Sequence, residues 1–171
     1  MGPGVRVGVA GVGGLGHLAV KFAVALGAEV TAFTSTAAKF ADVRTLGAHT
    51  VAVVTSSDDF AVHASSLDVI LDCIPVAHDV SPYLRCLALD GVLCSVGYLG
   101  PVTLQTTDLL VGRKAFGSAG SGGRRHTIEM LDFCAANDIT ADVEVLPSSQ
   151  VDVALDRLRR GDVRHRFVLD M

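Results

Sequence analysis

The feature that most constrains this chain lies in its first 35 residues. Val5-Arg6-Val7-Gly8-Val9-Ala10 is short, rich in β-branched residues and closed by glycine, which reads as a buried strand. Gly11-Val12-Gly13-Gly14-Leu15-Gly16 follows at once. Leu15, Leu18, Ala19, Phe22, Ala23 and Leu26 then recur at helical spacing, and Gly27 stands where a left-handed helix terminus wants glycine. A second strand, Val30 to Thr34, comes next. A strand, a glycine-rich bend, an apolar-faced helix and a second strand in this order form a parallel crossover unit, which needs a layered α/β fold around it.

Gly11, Gly13 and Gly16 satisfy G-x-G-x-x-G, and the context gives that weak pattern its meaning. Gly11 allows the tight turn, Gly13 lets the backbone approach a diphosphate, and Gly16 lets helix and strand pack closely. With Gly14 and Leu15 the bend offers amide groups and a helix N-terminus to an anion. The residues after the second strand indicate which dinucleotide is favoured. An acidic residue would meet the 2′-hydroxyl of NAD, and none stands there. Glu29 opens the strand, at its far end. Thr34, Ser35, Thr36 and Lys39 instead offer hydroxyls and an ammonium, which suit the 2′-phosphate of NADP(H). Thr36 also reads as the cap of the next helix, and the two roles are compatible.

The alternation continues. Phe40, Val43 and Leu46 predict a short helix, Thr50 to Val54 a third strand and Leu67 to Cys73 a fourth. Ser81-Pro82 reads as a helix N-cap and first position, and Asp90-Gly91 as the turn into a fifth strand, Val92 to Gly97. Ala115 to Ser118 predicts a sixth strand, and Ile128, Leu131 and Ala135 a helix ending near Asn137. The fold class is therefore α/β, a Rossmann-type doubly wound parallel sheet over residues 1–140. Residues 141–171 form a C-terminal appendage. In it Val143 to Val145 and Val163 to Leu169 read as strands around a helix at Val151 to Leu158, with Ser148 or Ser149 as its cap.

Composition excludes several classes. Half of the 171 residues are apolar and the net charge is −4, which suits a packed domain and not a nucleic-acid surface. No apolar run is long enough for a membrane helix, and no secretory signal stands at Met1. Cys73, Cys86, Cys94 and Cys134 lack zinc-ligand or disulfide spacing, so no metal site is expected and a cytoplasmic setting is. Cys73 reads as a small buried thiol, and Cys86, Cys94 and Cys134 as core. His17, Asp72 and Tyr98 are the catalytic candidates: His17 from the first turn of the nucleotide helix, Asp72 from the switch point, Tyr98 as an acid after the fifth strand. The basic cluster Arg157, Arg159, Arg160, Arg164, His165 and Arg166 reads as a solvated face.

The run from Gly2 to Lys21, with Thr34 to Lys39, Leu71-Asp72-Cys73, His78-Asp79, Val96-Gly97, Glu129 to Cys134 and Asp162 to Asp170, resembles the nucleotide-binding domain of medium-chain zinc alcohol dehydrogenases. The nearest branch is the cinnamyl-alcohol-dehydrogenase-like aldehyde reductases, and the likeness covers essentially the whole chain. It implies NADP(H) as cofactor and reversible alcohol–aldehyde hydride transfer on a small-molecule substrate. Gly11 to Gly16 would hold the diphosphate, and Ser35, Thr36 and Lys39 the 2′-phosphate. The loops at Cys73, Gly97–Tyr98 and Ser118 would approach the ribose and nicotinamide. Phe40 departs from the family, which often has a second basic or polar residue there. The family also carries an N-terminal domain with the catalytic-zinc ligands, which this sequence does not contain; two expectations stand, that the chain is a piece of a longer protein or that a separate polypeptide supplies the zinc-binding domain as a partner. A homodimer through the sixth strand is a further expectation. Two other functions stay open: a relative repurposed as a non-redox cyclase or lyase that uses the vacated cleft, and a non-catalytic NADP-binding module.

Overall fold

A computed structural model describes residues 1–97, 100–163 and 165–171. The strands β1 (Arg6–Ala10), β2 (Glu29–Thr34), β3 (Thr50–Val53), β4 (Leu67–Asp72), β5 (Leu87–Ser95) and β6 (Ala115–Ser118) form one parallel sheet in the order β3-β2-β1-β4-β5-β6. The helices are α1 (Gly16–Ala25), α2 (Phe40–Thr45), α3 (Ser81–Cys86), α4 (Thr106–Leu110), α5 (Arg124–Ala136) and α6 (Val151–Arg159). A separate two-stranded parallel sheet, β7 (Val143–Pro147) and β8 (Arg166–Asp170), brackets α6. Strand order reverses between β1 and β4, which pair from Val7↔Val69 to Ala10↔Asp72. This is the doubly wound topology expected from the sequence, and its crevice lies beyond the carboxyl ends of these two strands.

Strand alternation builds two cores. Val7 and Val9 face Val20 and Ala23 of α1 and Val43 of α2, with Val30 and Ala32 beside them. Ala10, on the other face, joins Phe33, Ile70, Leu84, Leu87 and Leu93. Both faces of the central strands are buried, as a parallel sheet requires. The outer helix α5 is different. Phe133 stacks on Phe22 at 6.0 Å, yet no α5 residue is buried. Cys134 is only half-buried, and so is Cys94, whereas Cys86 is buried. The expectation that all three lie in the core holds for Cys86 alone. Leu110, Val111, Leu131, Val145 and Val153 are exposed. Among the described residues no helix is long and apolar enough to cross a membrane.

Three local readings are corrected. Ser81 does not cap α3: it is the first helical residue, and Asp79 accepts its N–H at 2.9 Å. Neither Ser148 nor Ser149 caps α6, because both are used in a 3₁₀ turn, Ser148–Gln150, that leads into it. Asp90-Gly91 is not a turn before the fifth strand but an irregularity within it. Leu67 pairs with Leu87 and Val69 already with Val92, and Asp90 sits at φ +61° with its N–H on the Gly112 carbonyl and its carboxylate on Arg113.

Two substitutions test this packing. Gly16 stands so close to the preceding bend that a Cβ would lie 2.0 Å from the Gly11 carbonyl oxygen. Gly16→Ala is expected to cost about 3 kcal/mol, since backbone must move to accommodate it. Leu84→Ala, at a fully buried position, is expected to cost ~2–5 kcal/mol. Urea midpoints measure both, and wild-type midpoints for either variant would refute the corresponding contact.

Candidate functional site

The bend after β1 is built by unequal glycines. Gly11 has φ +80°, and a Cβ there would meet Ile74 at 2.8 Å. Its N–H reaches the Phe33 carbonyl of β2, and its carbonyl accepts the Gly13 N–H at 3.1 Å. Gly16 is packed against Gly11 as described above. Gly13 is the opposite case: a Cβ built on it meets no atom within 4 Å. The space beside it belongs to a cavity of about 810 Å³ lined by Gly11, Gly13, Gly14 and Leu15 on this side. No side chain caps the start of α1, where the Gly13 carbonyl accepts the His17 N–H. The cradle that a Cβ would fill, with a bare helix start behind it, fits a diphosphate.

The opposite wall comes from β2, β3 and the loop after β4. Thr34 is nearly buried, and its hydroxyl bonds the Thr36 backbone at 3.4 Å. Ser35 and Lys39 are exposed and line the cavity. The sequence from Thr34 to Lys39 contains no acidic residue, and Asp79 is the one carboxylate among the described residues lining the cavity. Thr55, Ser56 and Ser57 continue this hydroxyl-rich wall. The Thr55 and Ser56 amides hold the Asp59 carboxylate at 2.8 Å and keep it below the usual carboxylate range. Phe33, Phe60 and Tyr83 form an aromatic cluster that lines the apolar part, with centroids 4.8–5.7 Å apart.

Asp72, at the end of β4, is completely buried and does not line the cavity. One oxygen accepts the Ile74 N–H at 3.1 Å, and the other faces His78 Nε2 at 3.2 Å. His78 Nδ1 lies 2.9 Å from the Val76 carbonyl, so that nitrogen donates. Among the described residues Nε2 and Asp72 Oδ2 have no partner besides each other. Burial raises the Asp72 carboxyl above its ordinary range. Asp72 therefore holds the 73–78 loop, of which His78 lines the cavity. Next to it, burial and the Asp72 charge push the Cys73 thiol up to about 12. Cys73 lines the cavity as a neutral thiol, not a nucleophile.

The structure thus gathers Gly11, Gly13, Gly14, Leu15, Thr34, Ser35, Lys39 and Cys73 around one cavity. Other candidates lie off it. Gly16 lies beneath the bend, and Thr36 uses its hydroxyl to cap the 3₁₀ turn Ala37–Lys39 through the Ala38 N–H. Gly97 sits behind the cavity, where its Cβ would be 2.5 Å from the Ile74 oxygen. Ser118 is exposed at the end of β6. His17 is fully buried and bonded to the Gly13 carbonyl and the Asp142 N–H, so it does not face the cavity. Tyr98 lies outside the described residues. Sequence reasoning missed Arg166, which lines the cavity and donates to the Gly14 carbonyl at 2.9 Å. It also missed Arg157, which is not solvated but held by Glu144 and Asp162 over the Phe167 ring. Among the described residues no group of three or more His, Cys, Asp or Glu side chains is placed to hold a metal ion.

Comparison with known proteins agrees with this architecture. The zinc-binding dehydrogenase family matches residues 14–136. An aldehyde reductase of Escherichia coli is 40% identical over 99% of the chain and 49% of its own length, and a mannitol dehydrogenase of Petroselinum crispum is 44% identical over 99% and 51%. A cinnamyl alcohol dehydrogenase structure from Sorghum bicolor superposes with a TM-score of 0.94 at 37% identity, covering 99% of this chain and 48% of that one. The enzyme of the same kind from Helicobacter pylori, solved in complex with NADP(H), gives 0.86 at 35% identity, with 99% and 49% covered. The chain spans about half the length of the relatives it matches. With the fold, the glycine bend and these likenesses in agreement, the chain belongs to the zinc-binding dehydrogenase family.

Proposed function

We propose that this chain is the NADP(H)-binding half of an alcohol dehydrogenase or aldehyde reductase. The carrying observation is the open cradle at Gly13, in a cavity also lined by the Thr34 and Ser35 hydroxyls and the Lys39 ammonium, with no acidic residue between Thr34 and Lys39 and with Asp79 as the one carboxylate of the described lining. The diphosphate would rest on the amides of Gly14 and Leu15 over the open face of Gly13, with Arg166 beside it. Ser35 and Lys39, with Thr34 and Thr36 shaping the turn, would receive the 2′-phosphate. The aromatic cluster and the Thr55–Ser57 wall would enclose the adenosine. The loops at Cys73, Gly97–Tyr98 and Ser118 would lead toward the nicotinamide. The NADP(H) complex of the Helicobacter relative supports this reading.

When bound, the nicotinamide exchanges a hydride: alcohol and NADP⁺ give aldehyde, NADPH and a proton. This chain's part is to bind, orient and shield the coenzyme. The described residues include no set that fits a zinc ion, so no step through zinc is assigned to them. Residues 1–140 form the coenzyme unit, and 141–171 the segment that meets a zinc-binding domain supplied by another stretch of protein. The β6 edge pairs with a second copy as a homodimer, and the four free cysteines suit a reducing cytoplasm.

Calorimetry with NADPH and NADH tests the reading. NADPH is expected to bind more tightly. Lys39→Ala should weaken NADPH on the order of tenfold or more and leave NADH nearly unchanged. Gly13→Val should abolish binding of both while leaving the melting temperature within a few degrees, because its side chain meets only the cavity. No heat from either coenzyme at millimolar excess would refute the proposal.

A further inference from the structure

His17 lies where the C-terminal segment meets the glycine-rich bend. Its imidazole is fully buried. Nδ1 is 2.9 Å from the Gly13 carbonyl and so donates to it. Nε2 accepts the Asp142 N–H at 3.2 Å, across 125 positions of sequence. The His165 ring, next to β8, stacks on it at 4.4 Å and 16°. These partners are compatible with one state only, the neutral tautomer with its hydrogen on Nδ1. A proton on Nε2 would point at another N–H.

We propose that His17 is a positioning residue for the coenzyme site: its neutral imidazole clamps the C-terminal segment onto the glycine-rich bend, and protonation releases that clamp. The inference rests on the dinucleotide reading of the cavity. Its logic is covalent. The Gly13 carbonyl accepts both the backbone N–H and Nδ1–H of His17. In a trans peptide the next amide, that of Gly14, points the opposite way, away from α1. Holding that carbonyl therefore aims the amide toward the anion position. Arg166 holds the Gly14 carbonyl, the next along the bend. Both holds depend on the seating of residues 142–166.

The charged groups that face the imidazole are Lys21 on α1, Asp142 before β7, and His165 and Arg166 at the start of β8. Lys21 is itself tied to the Asp142 carboxylate at 2.8 Å and the Thr140 carbonyl at 2.9 Å. Burial, aided by Lys21 and Arg166, lowers the imidazole pKa, outweighing the opposing pull of the Gly13 bond and Asp142. A folded-state pKa below the unfolded one means that the unfolded chain binds the proton more readily. The stability that His17 contributes is thus present above its ordinary range and is lost as pH falls through and below about 6.5.

The test uses the whole chain with His17→Asn, which can keep the bond to Gly13 but is too short for Asp142, and His17→Gln, which can reach further. Ring ¹⁵N shifts of the wild type should show the Nδ1–H tautomer. Amide-exchange protection factors over 141–146 and 166–170 should be high at pH 8, fall as the imidazole titrates, and be low at every pH in His17→Asn, with partial recovery in His17→Gln. NADH is the binding probe, because it lacks a 2′-phosphate that would itself titrate near pH 6. Wild-type affinity should fall about tenfold from pH 8 to pH 5.5, whereas His17→Asn should be weak and flat with pH. Parallel pH curves for wild type and His17→Asn, or unchanged protection of 141–146, would overturn the inference. If NADH and NADPH both fail to bind wild type at pH 8, the dinucleotide reading fails instead, and the clamp is decided by exchange alone.

Discussion

The contact between Gly16 and the Gly11 carbonyl governs how the rest of the molecule is arranged. It brings the start of α1 against the end of β1 at a distance no side chain permits. From there α1 lays Val20 and Ala23 over Val7 and Val9, and the first amides of the helix open on the crevice where strand order reverses. Core and candidate site are thus set by one close approach. Glycines within a single motif do different work as a result: Gly11 and Gly16 serve the backbone, whereas Gly13 borders empty space.

The appendage is more than an extension of the sheet domain. Lys21, His17 and Gly14 each take a partner from residues 140–166. Arg157 binds the appendage internally, tying Glu144 in β7 to Asp162 and covering Phe167 of β8. The outer side chains of the small second sheet, Val143, Val145 and Val168, remain exposed, as do Leu155 and Leu158 on α6. The chain spans about half the length of its relatives.

Strands, helices and the glycine bend were legible because they follow from short-range rules of periodicity and chain stiffness. Thr34, Ser35 and Lys39 were legible because a strand end fixes where the next residues point. The misreadings share a cause. Ser81 carries the right side chain for a cap, but the helix starts at Ser81 itself, with Val80 before it and Asp79 accepting the Ser81 N–H. Asp90-Gly91 spells a turn, yet pairing with Arg113 and Gly112 keeps it in the sheet. His17, directly after Gly16, read as a residue that could face the cofactor. Two of its partners are 125 and 148 positions away, which no local pattern encodes.

By itself the sequence determined the α/β class, the order of elements and the chemical character of the crevice at the glycine bend, since each is written in residues close together along the chain. Tertiary structure alone decided the states of the polar groups. Asp72 became a buried partner of His78, Cys73 a neutral thiol, His17 a neutral clasp and Arg166 a wall of the cavity. The reason is physical: the charge and bonding of a buried group depend on desolvation and on donors brought to within about 3 Å from distant segments, and only the folded chain brings them there.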